Sequence, residues 1–237
     1  MNLADPVTEA APARSRAAIR LPWPALLGSL ASDDAQALDA MAQSRSVAEG
    51  AQVFSRGEPS QHLIALVDGQ AACGWSQPAR GLAAERIVHG PAWLLLARPF
   101  ADNRHGCDAV AQTRLQLAEL PVEPLRALLL RRPMLALRFV DALAREVGWL
   151  GERMHELMHK DAGARLAAWL CTQLQGRHAQ DVLRLAERKR DIASQLGMTP
   201  ETLSRMMRNL SERGLIAVSG YTVRVLDPGG LQGLAGL

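Results

Sequence analysis

The chain has few cysteines, almost no lysine and no long hydrophobic run. Its three cysteines, Cys73, Cys107 and Cys171, are odd in number and far apart, which argues against a disulfide framework and favours a reducing compartment. No apolar stretch reaches the roughly 18 residues of a membrane span, and the N-terminal stretch lacks the form of a signal peptide. We therefore expect a cytoplasmic protein with no membrane partner.

What the chain does have is enough length for two modest domains and an uneven distribution of charge. It contains 237 residues, of which 48% are hydrophobic and 22% charged, the balance of a folded globular protein. The formal net charge is only +3. Positive side chains are nevertheless concentrated in the last quarter of the chain, where they predict a surface for an anionic partner. They are Arg184, Arg188, Lys189, Arg190, Arg205, Arg208, Arg213 and Arg224.

The first half of the chain changes texture twice. Residues 1–20 are rich in Ala, Pro and Arg without an apolar period and predict a mobile arm. Leu26 to Met41 is predicted to be helical. From Val47 onwards, short apolar pieces alternate with turn residues, a pattern typical of a small β-roll or barrel. We assign 21–132 to this β-domain, with a short helix at its end that runs from Pro121 to Arg132.

A long helix is predicted from Pro133 to His159. Seven apolar residues within it are separated alternately by four and three positions, which is a heptad seam. The seam consists of Ala136, Val140, Leu143, Val147, Leu150, Met154 and Leu157. An ordinary helix lying on its own domain's core is the alternative. Leu135, Phe139 and Ala142 form a second stripe that could meet the β-domain, so we interpret 133–160 as a dimerisation helix in a parallel homodimer.

A helix-turn-helix is predicted near the C-terminus. Lys189 to Leu196 forms the first helix, and the second begins at Thr199, whose hydroxyl can cap its free N–H groups. Ala193, Gly197 and Leu203 have the spacing this unit requires, because a small residue, a turn glycine and a locking apolar residue are needed there. Two short strands follow between Arg213 and Val225. We therefore assign 161–237 to a winged-helix domain that binds DNA.

The second helix of this unit carries a polar face. Glu201, Ser204, Arg205 and Arg208 lie at i, i+3, i+4 and i+7 and so share one side. An acceptor, a hydroxyl and two guanidiniums near a helix N-terminus suit base edges in a major groove. A solvated face on a surface helix is the alternative for this segment taken alone.

The order of these parts resembles the cyclic-AMP receptor protein/fumarate-nitrate regulator (Crp/Fnr) family of bacterial transcription factors. The likeness is most specific in the segment from Asp191-Ile192-Ala193 through Leu196-Gly197-Met198-Thr199-Pro200-Glu201-Thr202-Leu203-Ser204-Arg205 to Gly214-Leu215-Ile216. It implies an α+β fold with an N-terminal cyclic-nucleotide-binding-like β-roll, a long dimerisation helix and a C-terminal winged helix. It also implies an effector-controlled dimer that binds an inverted-repeat operator and recruits or blocks RNA polymerase.

The resemblance assigns roles to residues of the second helix. Glu201, Ser204 and Arg205 match the Glu-x-x-Ser-Arg pattern that goes with TTGAT half-sites in the fumarate-nitrate branch, and we expect them to read bases. Five further residues are predicted to contact the DNA backbone. They are Lys189, Thr199, Thr202, Arg208 and Arg213.

The effector is not identified by the sequence. Family members that bind cyclic nucleotides carry Gly-Glu and Arg-Ser or Arg-Thr pairs where this chain has Gly90-Pro91 and His105-Gly106, so the charged ligand would lack partners unless Arg104 replaces them. The family's iron–sulfur sensor needs four cysteines, and this chain has three. Haem stays open, with His or Cys of the β-domain as a ligand to iron. The predicted effector pocket comprises Trp93, Arg104, His105 and Cys107.

The residue types suggest two other sites. Asp102, His105 and Asp108 could lie near a cleft, but no nucleophile–base pair and no phosphate-binding glycine loop accompanies them, so we do not expect an enzyme. His155 and His159, at i and i+4 on the long helix, could chelate a metal. A solvent-facing flank of the seam is the simpler interpretation of that pair.

Overall fold

The computed structural model describes residues 21–77, 81–101, 103–174, 182–185 and 187–236. The predicted arm at 1–20 and the candidate acid Asp102 lie outside the described residues. The first half contains the following helices and strands. They are α1 (Trp23–Leu27), α2 (Ser32–Met41), β1 (Gln43–Val47), β2 (Gln52–Phe54), β3 (His62–Asp68), β4 (Gln70–Gln77), β5 (Gly81–His89), β6 (Ala92–Trp93), α3 (Arg98–Ala101), β7 (Asp108–Ala111), β8 (Leu115–Pro121) and α4 (Val122–Arg131).

The single helix predicted from Leu26 to Met41 is wrong, because two helices occupy this stretch. Gly28 has φ +75, which lies outside the helical region, and its N–H closes the last turn of α1 on the Pro24 carbonyl. Ala31 is extended, so α2 starts afresh at Ser32 with Asp33 and Asp34 in its first turn. The acidic pair suits this position, because carboxylates are favourable near the positive end of a helix.

Two four-stranded sheets form the β-domain, in the orders β1-β8-β3-β6 and β2-β7-β4-β5. Side chains alternate along β3, so Ile64 and Leu66 face one hydrophobic cluster while Leu63 and Ala65 face another. The first cluster also holds Phe54 from the second sheet, and therefore lies between the two sheets. The second cluster is completed by helices, so one sheet has an apolar layer on each face.

The second half begins with the long helix. Its helices and strands are α5 (Pro133–His159), α6 (Ala162–Gln173), β9 (Val182–Arg184), α7 (Lys189–Gln195), α8 (Pro200–Glu212), β10 (Ile216–Ser219), β11 (Thr222–Val225) and α9 (Pro228–Ala235). The bounds of α5 are those that the sequence predicted. Asp161 caps α6 by accepting a hydrogen bond from the Ala164 N–H at 2.8 Å.

The chain divides into two compact units. The first comprises residues up to Cys73 together with Val88–Leu143, and the second comprises Gly74–Ile87 together with Ala144–Leu237. The long helix therefore contributes its first turns to one unit and its remaining turns to the other. Within the part of the chain that the structure describes, no helix is long and apolar enough to cross a membrane.

The first turns of α5 belong to the core of the first unit. Leu135, Phe139 and Ala142 are buried in the helix-covered cluster, and Trp93 lies 6.0 Å from Phe139 between ring centroids. The predicted contact of this stripe with the β-domain is thus confirmed. In the second unit, Arg86 of β5 pairs with Glu146 of α5 at 3.0 Å.

A winged helix forms the C-terminal part of the second unit. Strands β10, β11 and β9 make an antiparallel sheet in the order β10-β11-β9, and α6, α7, α8 and α9 share one hydrophobic cluster with it. The hairpin of β10 and β11 was predicted, whereas β9 and α9 were not. Asp227 caps α9 by accepting from the Gly230 N–H at 2.9 Å.

Candidate nucleic-acid interface

The turn between α7 and α8 is shaped by Gly197. Its φ of +62 is in the left-handed region, where side chains are strained. A Cβ at this position would also lie 2.7 Å from Cδ2 of Leu157. The chain then enters α8 at Thr199, whose Oγ1 accepts from the Thr202 N–H at 3.2 Å, with Pro200 at the first helical position. The predicted cap at Thr199 is confirmed.

Helix α8 separates a buried side from an exposed one. Leu203, Met207 and Leu210 are buried in the cluster of the winged helix. Glu201, Ser204, Arg205, Arg208 and Arg213 are exposed. Because the apolar side fixes the rotation of the helix, the polar side must point to solvent or to a partner. The helix therefore presents an acceptor, a hydroxyl and guanidiniums from its first turns outwards.

The predicted backbone-contacting residues lie around this helix. Lys189, at the start of α7, lines a cleft of about 250 Å³ together with Ser204 and Arg208 of α8. Its ammonium nitrogen is 5.9 Å from the centroid of the Tyr221 ring, in the turn of the hairpin. The structure thus brings Lys189 and Arg208 to one cleft beside the polar face of α8. Thr199 lies at the N-cap and Thr202 in the first turn of the same helix.

Two arginines that sequence reasoning missed hold the turn in place. Arg165 of α6 donates from Nε to the Leu196 carbonyl at 2.8 Å and from Nη1 to the Lys160 carbonyl at 2.6 Å. Arg153 of α5 donates to the Gln195 carbonyl. The last carbonyls of a helix have no partner within it, and cations are favourable at that end. The two guanidiniums therefore satisfy the C-terminus of α7 and tie it to α5 and α6.

A sequence signal for these arginines would have been weak. Arg165 lies four residues after the capping Asp161, and Arg153 lies beside the seam residue Met154. From the sequence, either arginine could equally be a solvent-exposed side chain, because a local pattern does not show which carbonyl a long side chain will reach. Their role depends on packing between helices that are distant in sequence.

The predicted effector residues occupy different surroundings. Trp93 donates from its indole nitrogen to the Leu26 carbonyl at 3.2 Å, within the helix-covered cluster. Arg104 is exposed and donates to the Gly57 carbonyl. Cys107 packs against the cluster between the sheets. The described contacts do not join Trp93 to the other three residues, and the effector pocket stays a prediction.

His105 is the buried member of that set. Its ring stacks on Phe54 with 3.9 Å between centroids, and its backbone bonds to Gly57 and Glu58 fasten the loop after β2. Nδ1 has no hydrogen-bond partner among the described residues. Burial lowers the pKa of the imidazole, opposed by the charge of Glu58. The neutral ring therefore acts as a packing element under this loop.

A separate cavity of about 430 Å³ lies in the first unit. It is lined by Pro59–His62, by Asn103 and by residues 121–124 at the start of α4. None of Trp93, Arg104, His105 and Cys107 lines it. Among the described residues, no group of three or more His, Cys, Asp or Glu side chains is placed to hold a metal ion.

Comparisons with known proteins agree with the architecture. Residues 164–234 match the model of the Crp-like helix-turn-helix domain. The transcriptional activator protein Anr of Pseudomonas protegens is 28% identical over 214 residues, which cover 88% of this chain and 87% of the relative. The fumarate and nitrate reduction regulatory protein of Vibrio cholerae is 26% identical, over 81% of this chain and 78% of the relative.

A solved structure shows the same fold. FixK2 of Bradyrhizobium japonicum superposes with a TM-score of 0.66 at 20% identity, covering 81% of this chain and 96% of the other. The β-domain, long helix and winged helix thus include a Crp-like helix-turn-helix domain, and the relatives that match most of the chain are transcription regulators. The chain is similar to transcription regulators of the Crp/Fnr family.

Proposed function

We propose that the chain acts as a cytoplasmic homodimer that reads an inverted-repeat operator through α8. The observation that carries this proposal is the exposed face of Glu201, Ser204 and Arg205 on a helix whose opposite side is buried. The first turns of such a helix enter the major groove in helix-turn-helix proteins, and their side chains contact base edges. Regulation then follows from recruiting or blocking RNA polymerase at the bound site.

Each base-reading side chain has a chemical counterpart. Arg205 can donate two hydrogen bonds to O6 and N7 of guanine, and Glu201 can accept from the N4 amino group of cytosine. Ser204 is small enough to approach a thymine methyl group. These pairings fit TTGAT half-sites. Pro200 takes the position where the nucleotide-activated branch has a further arginine, which favours TTGAT-N4-ATCAA over TGTGA-type sites.

Phosphate contacts provide the remaining affinity. Lys189 and Arg208 flank one cleft, and Arg213 is exposed just after α8. Thr199 and Thr202 lie at the N-terminus of α8, where a phosphate is also favoured by the helix dipole. Contacts of this kind position the protein without reading sequence.

The exposed seam of α5 supports the dimer. Val147 is 67% exposed and Met154 is 63% exposed, whereas Leu135 on the other stripe is 1% exposed. A row of apolar side chains from 136 to 157 extends over about 32 Å of helix. Such a row leaves water when it pairs with an identical helix, and the 4–3 spacing is that of a coiled coil. Two-fold symmetry would then set the two α8 helices about 34 Å apart, one turn of DNA.

Selection of binding sites from random duplexes tests this function. We expect the enriched motif to be an inverted repeat containing TTGAT half-sites. Enrichment of a motif without the half-site guanine would contradict the assignment of α8 to bases, and failure to enrich any motif would contradict sequence-specific binding.

A further inference from the structure

Two histidines stand side by side at the end of α5. His155 and His159 are four residues apart and hence on one face of the helix. Their ring centroids are 4.6 Å apart with an interplanar angle of 40°, and both side chains are exposed. Two imidazoles at this spacing can both direct a nitrogen to one ion, as they do in helical zinc sites.

We propose that His155 and His159 together form a bidentate site for one divalent transition-metal ion, such as zinc or nickel. Imidazole is a preferred ligand for these ions, and the exposed rings leave the ion an open path of entry. Since the described residues bring no third His, Cys, Asp or Glu to the pair, the remaining coordination positions belong to water or to an outside ligand. The bound ion is therefore exchangeable rather than a structural zinc.

The segment also reads His155-Glu156-Leu157-Met158-His159, the spacing of zinc metalloproteases, in which the glutamate acts as a general base. Here Glu156 is committed elsewhere. Its carboxylate pairs with Arg153 at 2.8 Å and with Lys160 at 3.4 Å. The carboxylate is therefore occupied by two cations, and the third protein ligand of a catalytic zinc is not among the described groups. The site binds metal without hydrolysing a substrate.

The chelate would act on the part of α5 that meets the helix-turn-helix. Arg153 bonds to Gln195 from these turns, and Leu157 lies against Gly197. Helix ends open more readily than helix centres. An ion that links residues one turn apart opposes this opening, since it binds the helical state more tightly than the open one. Metal occupancy should therefore slow local opening of the last turns of α5.

Calorimetric titration of Ni²⁺ into the full-length protein, metal-free and without a histidine tag, tests the site. Nickel is the probe because zinc also binds cysteine thiolates. We expect one ion to bind per chain. His155→Asn or His159→Asn should reduce the affinity about 100-fold, because each variant keeps only one histidine ligand. His89→Asn, which changes an exposed histidine of β5, is the matched control and should leave the affinity unchanged.

Hydrogen exchange provides a second measurement. With Ni²⁺ present, amides of residues 152–159 should exchange more slowly in the wild type and at the original rate in His155→Asn. Wild-type affinity in the double variant His155→Asn/His159→Asn would overturn the site. Nickel binding without slower exchange in 152–159 would also overturn it, because the ion would then lie elsewhere.

Discussion

Arg165 donates from Nε to the carbonyl oxygen of Leu196 at 2.8 Å, so a side chain of α6 holds the end of α7. The same guanidinium reaches Lys160 at the end of α5. Arg165 of α6 therefore joins the end of α5 to the end of α7, just before the turn that leads into α8. The orientation of α8, the proposed base-reading helix, depends on this junction.

Replacing Arg165 by alanine should loosen the turn between α7 and α8 without removing any of the proposed DNA contacts. We expect a loss of about 2 kcal/mol in the free energy of unfolding, because charge-assisted hydrogen bonds to carbonyls disappear. Binding to DNA should weaken for every sequence, with the preferred motif unaltered. Urea unfolding and fluorescence anisotropy measure the two effects. Arg165→Lys, which keeps the charge but loses the fork, is the control, and wild-type stability in Arg165→Ala would show that the bonds are dispensable.

The seam of α5 is tested by adding a charge to it. Leu150→Asp would bury an unpaired carboxylate at the proposed interface, which costs several kcal/mol, and should yield monomers. Arg145→Asp adds the same side chain at an exposed position outside the seam and should leave the dimer intact. Light scattering gives the masses. A dimeric Leu150→Asp protein would exclude this seam as the interface.

The proposed phosphate contacts predict a salt dependence of DNA binding. Arg208→Ala and Arg213→Ala should each weaken binding to all duplexes alike and lower the slope of log K against log salt by about one unit. Arg131→Ala removes an exposed charge from α4 of the β-domain and serves as the control. If both α8-side variants keep the wild-type slope, the basic surface does not face DNA.

The burial of His105 predicts a dependence of stability on pH. Its pKa is lowered from 6.5 in the fold, chiefly by burial, so the folded state binds the proton less readily than the unfolded chain does. The contribution of neutral His105 to the free energy of unfolding is therefore complete above pH 6.5. It is lost as the pH falls towards the pKa of the folded state. Nearby Glu58 and Glu119 favour the proton, and Arg45 opposes it.

Urea unfolding at pH 7.5 and pH 5.5 measures this effect. We expect His105→Phe, which keeps an aromatic ring against Phe54, to lose less stability between the two pH values than the wild type loses. His89→Phe alters an exposed histidine and should behave as the wild type. An identical pH dependence in His105→Phe and the wild type would show that His105 does not titrate with folding.

The sequence predicts those parts of the fold whose signal is local or periodic. The bounds of α5, the cap at Thr199 and the turn at Gly197 follow from spacing and backbone preference. The break after α1 was missed because leucines on either side of Gly28 continue a helical period. Strand β9 has only three residues, and its pairing with β11 joins distant segments, which a local pattern does not reveal.

The candidate site divides in the same way. The exposed face of α8 could be read from the i, i+3, i+4 spacing, because a single helix sets it. Arg153 and Arg165 could not, since their carbonyl partners belong to α7. The effector residues were grouped by chemistry alone, and Trp93 packs instead beside α1 and Phe139.

The central claim is that Arg205 reads a guanine in each half-site. The most direct measurement compares the affinities of wild type and Arg205→Ala for TTGAT-N4-ATCAA and for a duplex with that guanine replaced in both half-sites. The wild type should lose about 1–3 kcal/mol per half-site on the altered duplex, and Arg205→Ala should bind the two duplexes alike. If Arg205→Ala still discriminates between them as the wild type does, the exposed face of α8 does not read the bases.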